Sequence, residues 1–185
     1  MKQRLFYILF VCTVSVVSGQ NDDAHKGAEQ DGGVEIFGGF SGSTLRGDVS
    51  GDIDRRTAFH GGVLFIMPVH KMFGIKVGLG YSGRGANVPG EGTIKLNYVE
   101  APLLLCVGRE KFNVFAGPQA ALLIKSNIDL SETLDAGISY GLSVGLNDRG
   151  FIRLVLYHGL KNAVNRPEIN ITNGYFSVVL GYRLP

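Results

Sequence analysis

The chain has 185 residues, of which 45% are hydrophobic and only 18% are charged, with 27 glycines and a formal net charge of +2. This length suits one domain with a full core or one closed barrel, and the composition excludes collagen and long disordered tracts. The small net charge argues against a nucleic-acid partner, which would require a clustered basic face.

Residues 1–19 have the pattern of a cleaved secretory signal. Lys2 and Arg4 precede an apolar run over residues 5–17, and small residues lead to an expected cut after Gly19. An uncleaved anchor is the alternative, but a membrane-spanning helix needs about 20 apolar residues. Removal of this segment would lower the net charge from +2 to 0.

Residues 20–33 are polar and glycine-bearing, which predicts a flexible periplasmic lead-in to a barrel at residues 34–185. Cys106 is the only cysteine that follows the predicted signal. It can form no internal disulfide, and a single thiol supplies no cysteine zinc cluster. We therefore expect no disulfide framework, no metal site and no cofactor.

The rest of the chain alternates between strand-like segments and turn signals, without a long helical period. We predict strands at residues 34–46, 57–69, 72–84, 94–108, 111–125, 135–146, 150–161 and 172–184. These segments are longer than the about 5–6 residues common in globular strands. Their length suits tilted membrane strands, which need about 9–11 residues.

The connections between the predicted strands alternate in length. Tight turns join the second strand to the third, the fourth to the fifth and the sixth to the seventh. Longer polar segments occupy residues 47–56, 85–93, 126–134 and 162–171. This alternation is typical of outer-membrane barrels. We predict an all-β, eight-stranded, antiparallel up-and-down transmembrane β-barrel in the bacterial outer membrane, with both termini periplasmic.

Each predicted strand has one bulky apolar face and one small face. In the third strand, Ile75, Val77 and Leu79 alternate with glycines and Lys76. A soluble secreted barrel would place the bulky face inside, but soluble surfaces carry roughly 25–35% charged residues. We expect the bulky face to contact lipid and the small face to fill the interior.

Glu100 interrupts the apolar stretch NYVEAPLLL at residues 97–105. Because successive strand side chains point to opposite faces, its parity places it inside the barrel. Five other charged residues have inward parity: Lys76, Arg153, Arg183, Glu35 and Arg84. A buried carboxylate requires such partners, so we predict a structural network around Glu100. A proton or ion path is the alternative role.

Three local features give further predictions. Pro102 cannot donate to a ladder, which predicts a bulge at that position. The second strand is apolar on both faces, so its register stays open. Tyrosines, among them Tyr98, Tyr157 and Tyr175, are expected to form girdles at the membrane interfaces.

The histidines do not form a recognisable catalytic constellation. His60 lies in the strand of open register, and His158 has outward parity. Neither can be placed beside a nucleophile and an orienting acid, as covalent catalysis requires. We therefore predict no catalytic residues and no enzyme activity.

Several segments carry a family resemblance: GFSGSTLRG at 39–47, residues 60–85, LNYVEAPLLL at 96–105, FNVFAGPQAALLIKS at 112–126 and GYFSVVLGYRL at 174–184. The most specific part is Y-x-E-x-P-L-L followed by A-G-P. With these segments the mature chain resembles the PorT-like small outer-membrane β-barrel proteins of Bacteroidota. The resemblance implies an eight-stranded barrel inserted by the outer-membrane assembly machinery, and a link to type IX protein secretion.

These observations predict a structural or accessory outer-membrane barrel that is a partner in type IX-like export. The expected partners are outer-membrane lipid and lipopolysaccharide, the assembly machinery and secretion-system proteins. A small-solute pore and a lipid-modifying outer-membrane enzyme are the alternatives.

Overall fold

A computed structural model describes residues 32–47, 54–90, 92–109, 111–128, 133–161 and 171–184. The strands are β1 Gly33–Gly47, β2 Asp54–His70, β3 Phe73–Val88, β4 Gly92–Arg109, β5 Phe112–Ser126, β6 Leu134–Gly145, β7 Gly150–Gly159 and β8 Ile171–Leu184. The predicted signal peptide at residues 1–19 lies outside the described residues, as does the predicted lead-in up to residue 31. Both stay predictions.

The eight strands close into one antiparallel barrel. Each strand pairs with its neighbours in sequence, and the seam between β1 and β8 runs from Val34–Leu184 to Gly47–Ile171. Closure leaves the sheet without an open edge, so its backbone groups are paired even where no water is present. The predicted fold class is confirmed.

Within the described ranges, no helix has the length and apolar character needed to cross a membrane.

The connections follow the predicted alternation with one exception. β3 and β4 remain paired up to Val88 and Gly92, so only residues 89–91 separate them. The long loop predicted at residues 85–93 is therefore wrong. Glycines sustain this tight connection, since Gly90 and Gly92 adopt φ values of 83° and 105°, where other residues are strained.

The outer wall of the barrel is covered by large apolar side chains. Phe40 is 68% exposed, Leu180 60% and Leu79 56%. Six charged side chains of the described residues are buried inside the barrel instead: Glu35, Lys76, Arg84, Glu100, Asp135 and Arg153. Extensive exposed apolar surface fits hydrocarbon rather than water, so the soluble-barrel alternative is inconsistent with the structure.

The structure also gives the register of β2. His60, Leu64 and Ile66 point inward, whereas Val63 and Phe65 are exposed on the outer wall. The sequence left this register open because both faces are apolar. A shift between Arg55 and His60 in the pairing with β3 adds an irregularity that no sequence pattern indicated.

The bulge predicted at Pro102 is wrong. Val77 pairs with Leu103 and Gly80 pairs with Glu100, and both pairs have the same register. The lost donor of proline is accommodated without an inserted residue. Between β4 and β5, the register shift lies instead at Asn97/Tyr98.

Candidate functional site

The first interior cluster is centred on Glu35. It lies near the short-turn end of the barrel, where short turns join β2 to β3, β4 to β5 and β6 to β7. Its carboxylate accepts hydrogen bonds from Lys76 Nζ and Arg183 Nε, each at 3.2 Å, and from Arg153 Nη2. These residues lie on β1, β3, β8 and β7. The Glu35 side chain is fully buried. The cluster therefore ties four strands together across the interior.

This Glu35 cluster sets three cations against one carboxylate. Aromatic rings surround Arg153: its guanidinium carbon lies 4.6 Å from the ring centroid of Phe151, 5.5 Å from Phe115 and 5.7 Å from Phe37. The negative face of an aromatic ring attracts a cation. These rings therefore offset part of the excess positive charge.

The second interior cluster is centred on Glu100 of β4. Arg84 Nη2 and Gln119 Nε2 donate to Glu100 Oε2 at 3.0 and 2.8 Å, and His60 Nε2 lies 2.8 Å from Oε1. The Tyr175 hydroxyl lies 3.3 Å from Oε2. Both carboxylate oxygens therefore have partners, as a buried charge requires.

Arg84 links Glu100 to a second buried carboxylate. Its Nη1 donates to Asp135 Oδ2 at 2.6 Å, and its Nε donates to Ser82 Oγ at 3.0 Å. Asn173 Nδ2 donates to the same Asp135 oxygen at 3.1 Å. This Glu100 cluster pairs one guanidinium with two carboxylates and reaches from β3 to β6 and β8.

Three tyrosines enclose the Arg84 guanidinium inside the barrel. The guanidinium carbon lies 4.3 Å from the ring centroid of Tyr157, 4.6 Å from Tyr98 and 5.0 Å from Tyr175. The prediction that these tyrosines form interfacial girdles is wrong. The parity of β4 already placed Tyr98 on the same face as Glu100, so the signal was present in the sequence.

Ser177, His60 and Glu100 form a hydrogen-bonded chain that resembles a catalytic triad. His60 Nδ1 lies 2.7 Å from Ser177 Oγ, and His60 Nε2 lies 2.8 Å from Glu100 Oε1. Nucleophile, base and acid follow the order used in covalent catalysis. This arrangement could not be predicted from the sequence, because both faces of β2 are apolar and its register stayed open.

Burial separates this Ser177–His60–Glu100 chain from any substrate. The three residues are at most 3% exposed. The adjoining cavity has a volume of about 20 Å³, which is room for about one water molecule. This space is too small for an acyl chain, and the hydrogen bonds of Ser177, His60 and Glu100 link β8, β2 and β4 in the interior.

The six predicted interior residues form two clusters rather than one. They are Glu100, Lys76, Arg153, Arg183, Glu35 and Arg84. Arg84 contacts Glu100, whereas Glu35 is contacted by Lys76, Arg153 and Arg183. The Arg183 side chain is 15% exposed because it lies near the end of β8.

Some interior partners were missed in the sequence. Asp135 has the same parity as Ser139 and Ser143, both of which are buried, so the alternation of β6 could have identified it. His60 required the register of β2, which the sequence left open. Among the described residues, no three His, Cys, Asp or Glu side chains are close enough to hold a metal ion.

Comparison with known proteins agrees with this architecture. Residues 20–165 match the family model of the outer membrane protein beta-barrel domain. Neisserial surface protein A is similar in structure, with a TM-score of 0.56 and 10% identity over 82% of this chain and 97% of that chain. OprG from Pseudomonas aeruginosa is similar with a TM-score of 0.50 and 14% identity, over 85% and 98%.

No curated protein matches the chain in sequence. At these identities, the similarity to solved structures shows the fold alone. The family match is more informative because it covers most of the chain. The protein therefore belongs to the outer membrane protein beta-barrel domain family of the bacterial outer membrane.

Proposed function

We propose that the protein is a structural or accessory outer-membrane barrel that acts through contacts at its loop end and has no catalysis of its own. The loop end is the end at which β1 connects to β2, β3 to β4, β5 to β6 and β7 to β8. The closed interior is the observation that carries this proposal. The Glu35 and Glu100 clusters cross the barrel at two levels, and the cavity beside His60 has a volume of only about 20 Å³.

We also propose that both chain termini face the periplasm. Gly33 and Leu184 lie at the end where short turns join β2 to β3, β4 to β5 and β6 to β7. Barrels of the outer membrane have short periplasmic turns and longer external loops. Both termini would then be periplasmic, and the loop end would face the cell exterior.

A partnership in type IX-like protein export is the specific role that we propose. Its support is the resemblance to the PorT-like group, carried chiefly by the Y-x-E-x-P-L-L motif. In the structure this motif supplies Tyr98 and Glu100 to the interior cluster around Arg84. A closed barrel with a filled interior leaves its rims and its outer wall as the surfaces available to a partner.

We also propose that the protein has no catalytic activity. Ser177 and His60 are the only described pair that resembles a nucleophile and its base, and both are buried. A lipid-modifying enzyme would need such a pair on the outer wall or at a rim. The outward His158 contacts Arg46 instead, at 3.3 Å.

A deletion strain tests the export role. We expect type IX-like cargo proteins to accumulate inside the deletion strain while outer-membrane permeability to dyes stays unchanged. Wild-type complementation is expected to restore secretion. Normal cargo secretion without the protein would contradict the export role.

Photocrosslinking tests the contact surface. A photoreactive amino acid at the exposed Asn127, beside the β5–β6 loop, is expected to capture a secretion-system protein. The same group at the exposed Lys111, in a short turn, is the matched control. Capture from Lys111 but not from Asn127 would contradict action through the loop end.

A further inference from the structure

A groove on the outer wall near the loop end has two outward-facing arginines beside it. It has a volume of about 300 Å³ and spans β2, β1, β8, β7 and β6. The side chains that define it are Thr44, Arg46, Arg55, Tyr140, Leu156 and Phe176. The groove is therefore cationic at one side and apolar at the other.

Arg46 lies flat against the barrel because the neighbouring strand carries a glycine. A Cβ atom at Gly174 would lie 3.0 Å from Arg46 Nε, so a larger residue there would require the arginine to shift slightly away from the wall. Arg46 Nη1 lies 3.3 Å from His158 Nδ1. The guanidinium is thus held along the wall over β8 rather than extended into solvent.

Arg55 is positioned by a second glycine on the same wall. A Cβ atom at Gly42 would lie 2.5 Å from the ring of Phe176, so glycine allows this ring to cover β1. The guanidinium carbon of Arg55 lies 5.3 Å from the Phe176 ring centroid, within cation–π distance. Both arginines therefore have defined positions beside the groove.

The two positively charged guanidinium groups beside the groove favour binding of an anion. Among the ion pairs of the described residues, none joins Arg46 or Arg55 to a carboxylate. Towards the short-turn end, the adjoining wall is apolar, with Phe40, Val178 and Leu180 exposed. The surface thus matches an amphiphile whose anionic group lies at the arginines and whose acyl chains extend along the wall.

We propose that this groove binds a phosphate of lipid A, the phosphorylated glycolipid anchor of lipopolysaccharide. The guanidinium groups suit bidentate hydrogen bonds to phosphate oxygens, and the acyl chains pack against Val178 and Leu180. The assignment to lipid A rests on the proposed orientation, because a loop end at the cell exterior places the groove in the outer leaflet.

Lipid titration followed by native mass spectrometry of the detergent-purified protein tests this site. Wild type is expected to bind bisphosphorylated lipid A more tightly than dephosphorylated lipid A. The double variant Arg46→Gln/Arg55→Gln is expected to bind bisphosphorylated lipid A about tenfold more weakly, since it loses charged hydrogen bonds. The double variant Arg109→Gln/Arg149→Gln is the matched control, because it removes equal charge from exposed positions at the short-turn end.

Three results would overturn the lipid A site. These are equal affinity of wild type and Arg46→Gln/Arg55→Gln, an equal loss in the control variant, and dephosphorylated lipid A binding as tightly as the phosphorylated form. Phosphatidylglycerol or inorganic phosphate binding as tightly as lipid A would overturn the choice of ligand. Heat-modifiable gel mobility verifies that each variant is folded.

The experiment is independent of the export proposal because it uses the isolated barrel. Failure of lipid A binding leaves the cargo-secretion result readable, and the reverse also holds. Surface labelling of the variant Asn127→Cys in intact cells tests the orientation separately. Labelling is expected if the loop end faces the exterior, and protection from the label would contradict the outer-leaflet assignment.

Discussion

Glu100 holds together residues from several strands of the barrel. Replacing it with leucine would leave Arg84 with one carboxylate and remove the partner of His60 Nε2. Removing one member of a buried ion pair costs about 3–5 kcal/mol. We expect Glu100→Leu to lower the free energy of unfolding by that amount, as measured by urea unfolding in lipid vesicles.

A control for this prediction lies in the β6–β7 turn. Asp148 is exposed, and surface substitutions usually change stability by less than about 0.5 kcal/mol. Asp148→Asn should therefore unfold like wild type. An unchanged unfolding curve for Glu100→Leu would contradict the inward, paired carboxylate.

Strand alternation could predict which residues face the interior but not which residues meet there. Arg153 and Glu35 are 118 positions apart in sequence and contact across the barrel. Their meeting depends on the stagger and tilt of the strands, which fix the height of each side chain. Strand alternation predicted that both residues point inward, and we expected them to join a single network around Glu100. In the structure, the different heights of Glu35 and Glu100 along the barrel separate the residues into two clusters.

At the scale of the strand, lipid contact predicts where a charge is tolerated. Leu79 lies in the middle of β3 and is 56% exposed. An arginine on the lipid face near the bilayer midplane costs about 2–4 kcal/mol, and about 0–1 kcal/mol near an interface. We expect Leu79→Arg to lower the free energy of unfolding in vesicles by about 2–4 kcal/mol.

The matched control for Leu79→Arg is Leu146→Arg in the β6–β7 turn, where the leucine is 62% exposed. This change should have a cost near zero because the turn lies at the membrane interface. Equal costs for both variants would mean that Leu79 does not contact hydrocarbon.

The strands themselves were the most predictable elements. Periodicity and turn residues located all eight, because a two-sided wall imposes regular alternation on each. The connection between β3 and β4 was less predictable. Its glycines, Gly85, Gly90 and Gly92, indicated a loop, but they adopt positive φ values in a hairpin that stays paired up to Val88 and Gly92. The prediction of a bulge at Pro102 was wrong because β4 stays paired in one register with β3 and with β5 around this residue.

At the scale of the whole molecule, the interior and the exterior have opposite chemistry. Eight strands leave an interior that side chains can fill. Arginine, lysine, tyrosine and carboxylate side chains occupy it in the Glu35 and Glu100 clusters. The exterior presents leucine, valine and phenylalanine. A barrel of this kind is expected to interact through its rims and wall rather than to conduct through its centre.

Planar-bilayer recording of the purified protein tests this closed interior most directly, with an established porin in a separate bilayer of the same composition as the positive control. We predict no sustained conductance above that of the bare bilayer, because the two clusters block the lumen and the cavity near His60 measures only about 20 Å³. Reproducible, long-lived channel openings from the folded protein would contradict the account and would favour a small-solute pore.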